Sequence, residues 1–199
     1  MKSSNEILPV VPNRRGFIAA SGATSAAVLL AATGAQAQPA SGGSSTPATE
    51  VVAEFLQNTA PGKIEAAAKR LVAEDATYIS LSFDNPELKK ILPWTGTSKG
   101  REAFINTFVR VAKYWTIEDF RIFDLFGVGE NVAVFGSFTY RSITRGKSFR
   151  SPFSIHAKVK NGVIVYFQFM EDTFASGRSF SSGGTWNIKT DPDGPEYPV

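Results

Sequence analysis

Two residue types in this 199-residue chain suit proton-transfer chemistry: a carboxylate near the end of a predicted strand, Asp172, and a phenol on an earlier one, Tyr78. A carboxylate in an apolar pocket has its charged form disfavoured, and its pKa then moves towards general-base strength. A tyrosine hydroxyl can donate a hydrogen bond to a carbonyl oxygen. This pair indicates acid–base catalysis with Asp172 as the base. In the alternative interpretation, Asp172 ends its strand near solvent and binds backbone amides.

The register of the last two predicted strands, 147–160 and 163–174, decides which side chains accompany Asp172. Asn161-Gly162 between them is typical of a two-residue type I′ turn, which fixes the pairing. The single histidine, His156, then falls on the face opposite Asp172, and a β-bulge would reverse that assignment. The face of Asp172 has apolar walls and a few polar groups, as a ligand pocket has. The ligand-binding candidates on that face are Tyr166, Gln168 and Met170.

Aromatic residues earlier in the chain are further candidates for a cavity wall. Phe55 lies on the apolar stripe of the first predicted helix, and Tyr78 lies on the first strand. Trp94 follows a short helical segment and is expected to cover the cavity mouth as a lid. For each of these rings, packing in an ordinary core is the alternative.

The order of elements that must position these residues is helix, helix, strand, helix, and then four antiparallel strands. Apolar stripes predict helices ending near Asn58 and near Leu71, and a third helix capped by Ser98. A short helical segment is expected at 85–93, and a strand within 75–82. The later strands are expected at 115–127, 131–143, 147–160 and 163–174. We therefore expect an α+β fold in which three N-terminal helices pack on one face of a curved antiparallel sheet.

The N-terminus is typical of a signal peptide. Arg14-Arg15 precedes a weakly apolar run at 19–32, and Ala35-Gln-Ala37 is a small-x-small cleavage signal. The arginine pair followed by Gly-Phe-Ile resembles the twin-arginine consensus, and an ordinary secretory signal is the alternative. We expect export by the twin-arginine machinery, cleavage after Ala37, and a periplasmic or secreted protein.

The rest of the chain divides by composition. Residues 38–47 predict a flexible linker rich in Gly, Ser and Pro, 48–175 form the folded domain, and 176–199 predict an irregular tail anchored by Trp186. No further apolar segment reaches the ~20 residues that a membrane helix needs. After cleavage we expect no membrane association.

Composition excludes several function classes. The chain has no cysteine and one histidine, which excludes disulfides, thiol catalysis and Cys- or His-rich metal sites. The net charge of +3 includes three basic residues and one acidic residue before the cleavage site, so the mature chain is nearly neutral and has no basic stripe for nucleic acid. We expect no metal, no cofactor and no nucleic acid.

Two stretches carry a family resemblance. Pro93-Trp-Thr-Gly-Thr-Ser-Lys-Gly-Arg101 is similar to the Gly-x-x-x-Gly-Arg entry to the third helix of the SnoaL-like, or nuclear-transport-factor-two-like (NTF2-like), superfamily, and the hairpin from His156 to Thr173 resembles that family's closing hairpin. The superfamily includes polyketide cyclases, ketosteroid isomerase, limonene epoxide hydrolase and scytalone dehydratase. The resemblance covers roughly residues 48–175 and implies a cone-shaped fold.

The resemblance also carries functional expectations. It implies a cavity for a small hydrophobic molecule, an Asp base as in ketosteroid isomerase, His156 as a further acid–base group as in the polyketide cyclases, and a homodimer formed through the second sheet face. An epoxide-hydrolase arrangement would draw on Asp119, Arg121, Arg141 and Asp172.

Because this fold hosts enzymes and plain binders alike, three functions stay open. The first is a cofactor-free isomerase, cyclase or dehydratase that uses Asp172. The second is a non-catalytic periplasmic ligand binder. The third is a structural domain whose cavity is filled by its own side chains.

Overall fold

The computed structural model describes residues 46–199. The predicted signal peptide at 1–37 and nearly all of the predicted linker at 38–47 lie outside the described residues. The helices are α1 (Ala48–Gln57), α2 (Ile64–Leu71), α3 (Pro86–Ile91), α4 (Arg101–Tyr114) and α5 (Thr173–Arg178). The strands are β1 (Val72–Ser80), β2 (Gly96–Lys99), β3 (Trp115–Val128), β4 (Asn131–Ser142), β5 (Ser148–Lys160), β6 (Val163–Glu171), β7 (Asn187–Ile188) and β8 (Tyr197–Pro198).

Six strands form one sheet in the order β2-β1-β6-β5-β4-β3. β1 runs parallel to β6, and every other neighbouring pair is antiparallel. α1, α2 and α4 contact this sheet. The predicted α+β class and the four-stranded meander are confirmed. The expectation of three N-terminal helices is not confirmed, because four helices precede β3 in the described residues. The short α3 is among them, and Asn85 caps it by accepting a hydrogen bond from the Leu88 N–H at 3.0 Å.

The predicted cap of the third helix is wrong. Ser98 lies in β2, where it pairs with Tyr78, and Gly100 is the residue before α4. Gly100 has φ +92°, a conformation that glycine adopts without the steric cost of a side chain. Its N–H donates to the Ala76 carbonyl at 2.8 Å. The Gly-x-x-x-Gly pattern therefore marks a short strand that turns sharply into α4.

The C-terminal region is more regular than expected. β6 ends at Glu171 and α5 follows at once, so the residues from 176 onward include the end of a helix. β7 and β8 pair as a two-residue ladder. Trp186, the predicted anchor, is 58% exposed and packs edge-on against Phe174 at 5.5 Å. Phe180 also anchors this region, because its ring stacks on that of Trp115 at 5.2 Å.

The β5–β6 hairpin has the predicted turn but a different register. Asn161 and Gly162 both have positive φ (51° and 78°), as a type I′ turn requires. The predicted pairing holds for the first two residue pairs. Val165 then has no partner on β5, and Tyr166 pairs with Lys158. This β-bulge moves every later side chain of β6 to the opposite face.

Candidate functional site

A cavity of about 280 Å³ lies between the sheet and the helices. Its wall is formed by the end of α1 and the loop after it, together with residues of β1, α4, β3, β4 and β6. Most of the wall is apolar. Among the described residues, no lysine, arginine or histidine lines it. The polar lining residues are Gln57, Thr59, Tyr78, Ser80, Thr107, Tyr140 and Glu171.

Glu171 is the carboxylate of this cavity. The bulge at Val165 turns it towards the core face, where it pairs with Phe153. Its Oε1 atom is buried without a hydrogen-bond partner. Burial raises the pKa of Glu171 to about 7; a hydrogen bond from Ser176 opposes this rise, and the charge of Asp172 adds to it. Both the protonated and the ionised form of this carboxyl are therefore accessible near neutral pH.

Tyr78 and Tyr140 supply neutral hydroxyl groups to the same cavity. Both rings are buried, at 3% and 9% exposure. Burial, followed by the negative charge of Glu171, raises the pKa of each phenol. A hydrogen bond with Ser80 partly offsets the rise for Tyr78. Both phenols consequently stay protonated and can act as hydrogen-bond donors at any physiological pH.

All three groups line the same, mostly apolar cavity. A carboxyl with a pKa near 7 can accept a proton in one step and return it in another, because both of its forms are populated at the working pH. Neutral phenols can donate hydrogen bonds to a carbonyl oxygen as negative charge develops on it. The arrangement suits proton transfer at a carbon next to a carbonyl group.

Asp172, the predicted base, lies outside the cavity. Its side chain is exposed and accepts a hydrogen bond from the Ala175 N–H at 3.0 Å, which makes it the N-cap of α5. Its own N–H donates to Ser151 Oγ at 2.8 Å. The expectation that Asp172 faces the cavity is wrong, because the bulge reverses the two residues and Glu171 lines the cavity instead. Asp172 has the capping role that was the alternative.

We predict that Asp172→Ala lowers the free energy of unfolding by about 1 kcal/mol, the usual value of an N-cap. Chemical denaturation in urea measures this change. The control is Asp172→Asn, which retains a capping oxygen and should lose only a few tenths of a kcal/mol. Equal losses in both variants would show that the cap does not account for the effect.

The other predicted residues of β6 lie on the outer sheet face. Tyr166 Oη donates to Gln168 Oε1 at 2.9 Å, and the Gln168 amide lies 3.7 Å from the Met170 sulfur. His156 shares this face: its ring is 5.3 Å from that of Tyr166, and its Nε2 lies 3.2 Å from Asn131 Oδ1. The structure thus brings four predicted residues together, but on the face away from the cavity.

The remaining aromatic candidates lie in or behind the cavity wall. Tyr78 and Trp94 line the cavity. Trp94 is 7% exposed and packs edge-on against Trp115 at 4.8 Å, so it belongs to a buried end wall and is not the predicted lid. Phe55 is fully buried and packs against the rings of Phe104 and Phe167. It supports the wall from behind.

The charged residues of the epoxide-hydrolase alternative do not converge. Asp119 and Arg121 form an exposed ion pair at 2.9 Å on β3. None of the four residues of this alternative lines the cavity. Within residues 46–199 no group of three or more His, Asp or Glu side chains is placed to hold a metal ion. In the same part of the chain, no helix is both long and apolar enough to cross a membrane.

Three residues of the site, Glu171, Tyr140 and Ser80, were not predicted. Glu171 stands beside Asp172 in the sequence, and strict alternation assigned it to the outer face. Tyr140 lies on β4, where it pairs with Ile117. All three lie on strands that line the cavity, where every second side chain faces it. That alternation identifies them only when the strand register is known.

Comparison with known proteins places the chain in a family. No protein-family model matches it. Patulin synthesis protein F of Aspergillus clavatus is 48% identical over 128 residues, which are 63% of this chain and 65% of that protein. Patulin biosynthesis cluster protein F of Penicillium expansum is 44% identical over 134 residues, which are 66% of this chain and 67% of that protein. The chain belongs to the family of these patulin-cluster F proteins. It spans just under two thirds of the first relative's length.

Solved structures agree with the fold of this patulin-F family member. An NTF2-like protein of Burkholderia xenovorans LB400 matches with a TM-score of 0.57 at 19% identity, over 67% of this chain and 95% of that chain. The likeness confirms the NTF2-like/SnoaL-like fold that the two sequence stretches suggested.

Proposed function

We propose that this protein is a cofactor-free enzyme that moves a proton on a small, uncharged, oxygen-bearing ring molecule. The observation that carries the proposal is the Glu171 carboxyl, which lines the cavity and has one buried oxygen atom without a hydrogen-bond partner. A buried polar atom without a partner costs stability, so a ligand group that completes its hydrogen bonding is the natural occupant.

The walls of the cavity support an uncharged substrate. Among the described residues, no basic side chain lines the cavity, and its one carboxyl would repel an anion. Its volume of about 280 Å³ is just below the ~300–1,000 Å³ typical of drug-sized ligand pockets, which favours a small molecule. The names of the two fungal relatives support a compound of the patulin pathway or a molecule that resembles one.

Glu171 would remove a proton from the carbon next to the carbonyl group and return it to another atom of the same molecule. Tyr78 and Tyr140 would donate hydrogen bonds to the carbonyl oxygen while it carries developing negative charge. Isomerisation, cyclisation and dehydration all begin with such a step.

The experiment that tests this function follows deuterium uptake from D₂O into patulin and into small cyclic ketones and lactones by mass spectrometry. Faster uptake with the wild-type protein than with Glu171→Gln is the expected result. Tight binding without any enhanced uptake would instead identify a non-catalytic ligand binder. If no compound of the panel binds and none shows enhanced uptake, the small-molecule site is contradicted.

We also propose that the protein is a homodimer. The support is the exposed apolar part of the outer sheet face, where Phe126 and Phe135 stack at 6.1 Å with 57% and 44% exposure. Apolar patches of this kind mark association surfaces. We expect sedimentation velocity to give a dimer mass for the wild type and a monomer mass for Phe135→Lys. Phe83→Lys, at an exposed position in the loop before α3, should stay dimeric. A monomeric wild type at micromolar concentration would contradict the proposal.

Export by the twin-arginine route is proposed from the sequence alone. The support is Arg14-Arg15 before an apolar run and the cleavage signal that ends at Ala37. We expect that joint replacement Arg14→Lys and Arg15→Lys, which preserves charge, retains the precursor in the cytoplasm when cell fractions are compared. Unchanged export of this variant would indicate the general secretory route.

A further inference from the structure

The segment that follows Glu171 forms the outer layer of one cavity wall. Trp94 and Trp115 line the cavity and meet edge to face at 4.8 Å. Phe180, just beyond α5, stacks on the far side of Trp115 at 5.2 Å and meets Trp94 edge-on at 6.4 Å. It does not line the cavity. The wall therefore has two layers, of which the C-terminal segment supplies the second.

Buried serines fix the inner layer to this segment. The Trp115 indole N–H donates to Ser179 Oγ at 3.1 Å, and that hydroxyl donates to the Ser176 carbonyl at 2.6 Å. Ser142 Oγ donates to the Ser179 carbonyl at 2.7 Å. All three serines are 3% exposed or less. Because the indole N–H has a single donor direction, its bond to Ser179 sets the orientation of the Trp115 ring.

An open groove of about 510 Å³ lies on the other side of the wall. Phe180 lines this groove, together with Phe174, Trp186 and residues of α3 and α5. The double-tryptophan wall with Phe180 behind it thus separates the cavity from the groove. If the second layer is removed, the wall loses its backing and the two spaces can merge.

We infer that Phe180 and Ser179 are positioning residues that hold the Trp94–Trp115 wall closed and so set the upper size limit of the substrate. The inference rests on the proposed function in one respect, that the cavity is the ligand site. Under this assignment the wild-type protein takes ligands that fit on the cavity side of this wall, and a shortened residue 180 admits longer ones.

Binding of three neutral ketones of increasing length tests the inference: cyclohexanone, 1-tetralone and anthrone, which have one, two and three fused rings. The measured quantity is the ratio of the Kd for anthrone to the Kd for cyclohexanone, from isothermal titration calorimetry or tryptophan fluorescence. We expect Phe180→Ala to lower this ratio at least tenfold while the Kd for cyclohexanone changes less than threefold. Ser179→Ala should lower it by a smaller factor.

A matched control is Trp186→Ala, which removes an aromatic ring from the same groove without touching the wall. It should leave the ratio as in the wild type. An unchanged ratio in a folded Phe180→Ala protein would overturn the inference, whereas failure of the wild type to bind any of the ketones would overturn the proposed function and the inference with it. If Phe180→Ala does not fold, Phe180→Leu decides: a ratio lowered at least threefold supports the inference, and an unchanged ratio overturns it.

Discussion

Glu171→Gln is expected to abolish turnover and to make the protein more stable above pH 7. Glutamine has nearly the same shape as glutamic acid but cannot exchange a proton, so catalysis should fall by the ~10²–10⁴-fold typical of a lost acid–base group. The stability gain arises because the wild-type protein must hold a carboxylate where burial disfavours it. The two effects are measured as initial rates and as Tm against pH.

The sign of the pH dependence follows from the pKa of Glu171, which is about 7 in the folded protein against an ordinary value of 4.5. The folded state therefore binds this proton more tightly than the unfolded state does. Stability that depends on it is fully present below pH 4.5 and is lost as the pH rises through 7. At ~1.4 kcal/mol for each pKa unit, a rise from 4.5 to about 7 corresponds to a loss of at most about 3–4 kcal/mol, and partial exposure of the side chain reduces it.

The Tm of Glu171→Gln should accordingly match that of the wild type near pH 4 and exceed it by several degrees at pH 8. The control is Asp172→Asn, one residue along the chain and exposed, which should retain the activity. Its pH dependence should keep the same sign with a lower midpoint, because the charge of Asp172 helps to raise the pKa of Glu171. A Glu171→Gln protein that keeps full turnover would remove Glu171 from the chemistry. A variant that is less stable at pH 8 would show that the carboxylate makes a structural bond.

Gly136→Ala is expected to be among the most destabilising single substitutions in the sheet. A Cβ atom at 136 would collide with the Arg121 carbonyl oxygen on β3 and would lie 2.5 Å from the Phe153 ring. Backbone atoms of a neighbouring strand cannot move aside cheaply. We expect a loss of about 3 kcal/mol, the upper part of the range for overpacking, in urea denaturation.

The same substitution should weaken ligand binding. Phe153 stacks on Phe120 at 4.9 Å and on Phe169 at 5.5 Å, and the latter two rings line the cavity. The control is Gly177→Ala in α5, where the nearest atom to the added Cβ is 3.6 Å away. That variant should be at least as stable as the wild type, because alanine favours helix more than glycine does. An unchanged urea midpoint for Gly136→Ala would contradict the packing described here.

Much of the fold was predictable because its signals are local. The Asn161-Gly162 turn and the four long strands emerge from alternation and turn chemistry alone. The entry to α4 was harder, since a serine at 98 suggests a helix cap whereas the structure uses Gly100 at positive φ after a two-strand pairing. In that pairing β1 and β2 join residues about 20 positions apart, such as Tyr78 and Ser98, and a local sequence pattern cannot predict a contact over this separation.

The candidate site was only partly predictable, for one physical reason. Tyr78 and Trp94 could be found because they lie on elements whose bounds were nearly right. The assignment on β6 failed at the single extra residue, Val165. The strand is apolar on both faces from Val163 to Met170 except at Gln168. This single polar residue does not reveal the position at which the side chains change face. The predicted register was therefore off by one residue beyond Val165, and it assigned Asp172 in place of Glu171 to the cavity face.

The assignment of Glu171 as the acid–base group of the cavity is tested by a ¹³C NMR titration of the glutamate side-chain carboxyl carbons. We expect one carboxyl that titrates with a pKa near 7 and whose signal is absent from Glu171→Gln. If all the glutamate carboxyls of the wild-type protein titrate below pH 5, the carboxyl is ordinary and the proposed chemistry is contradicted.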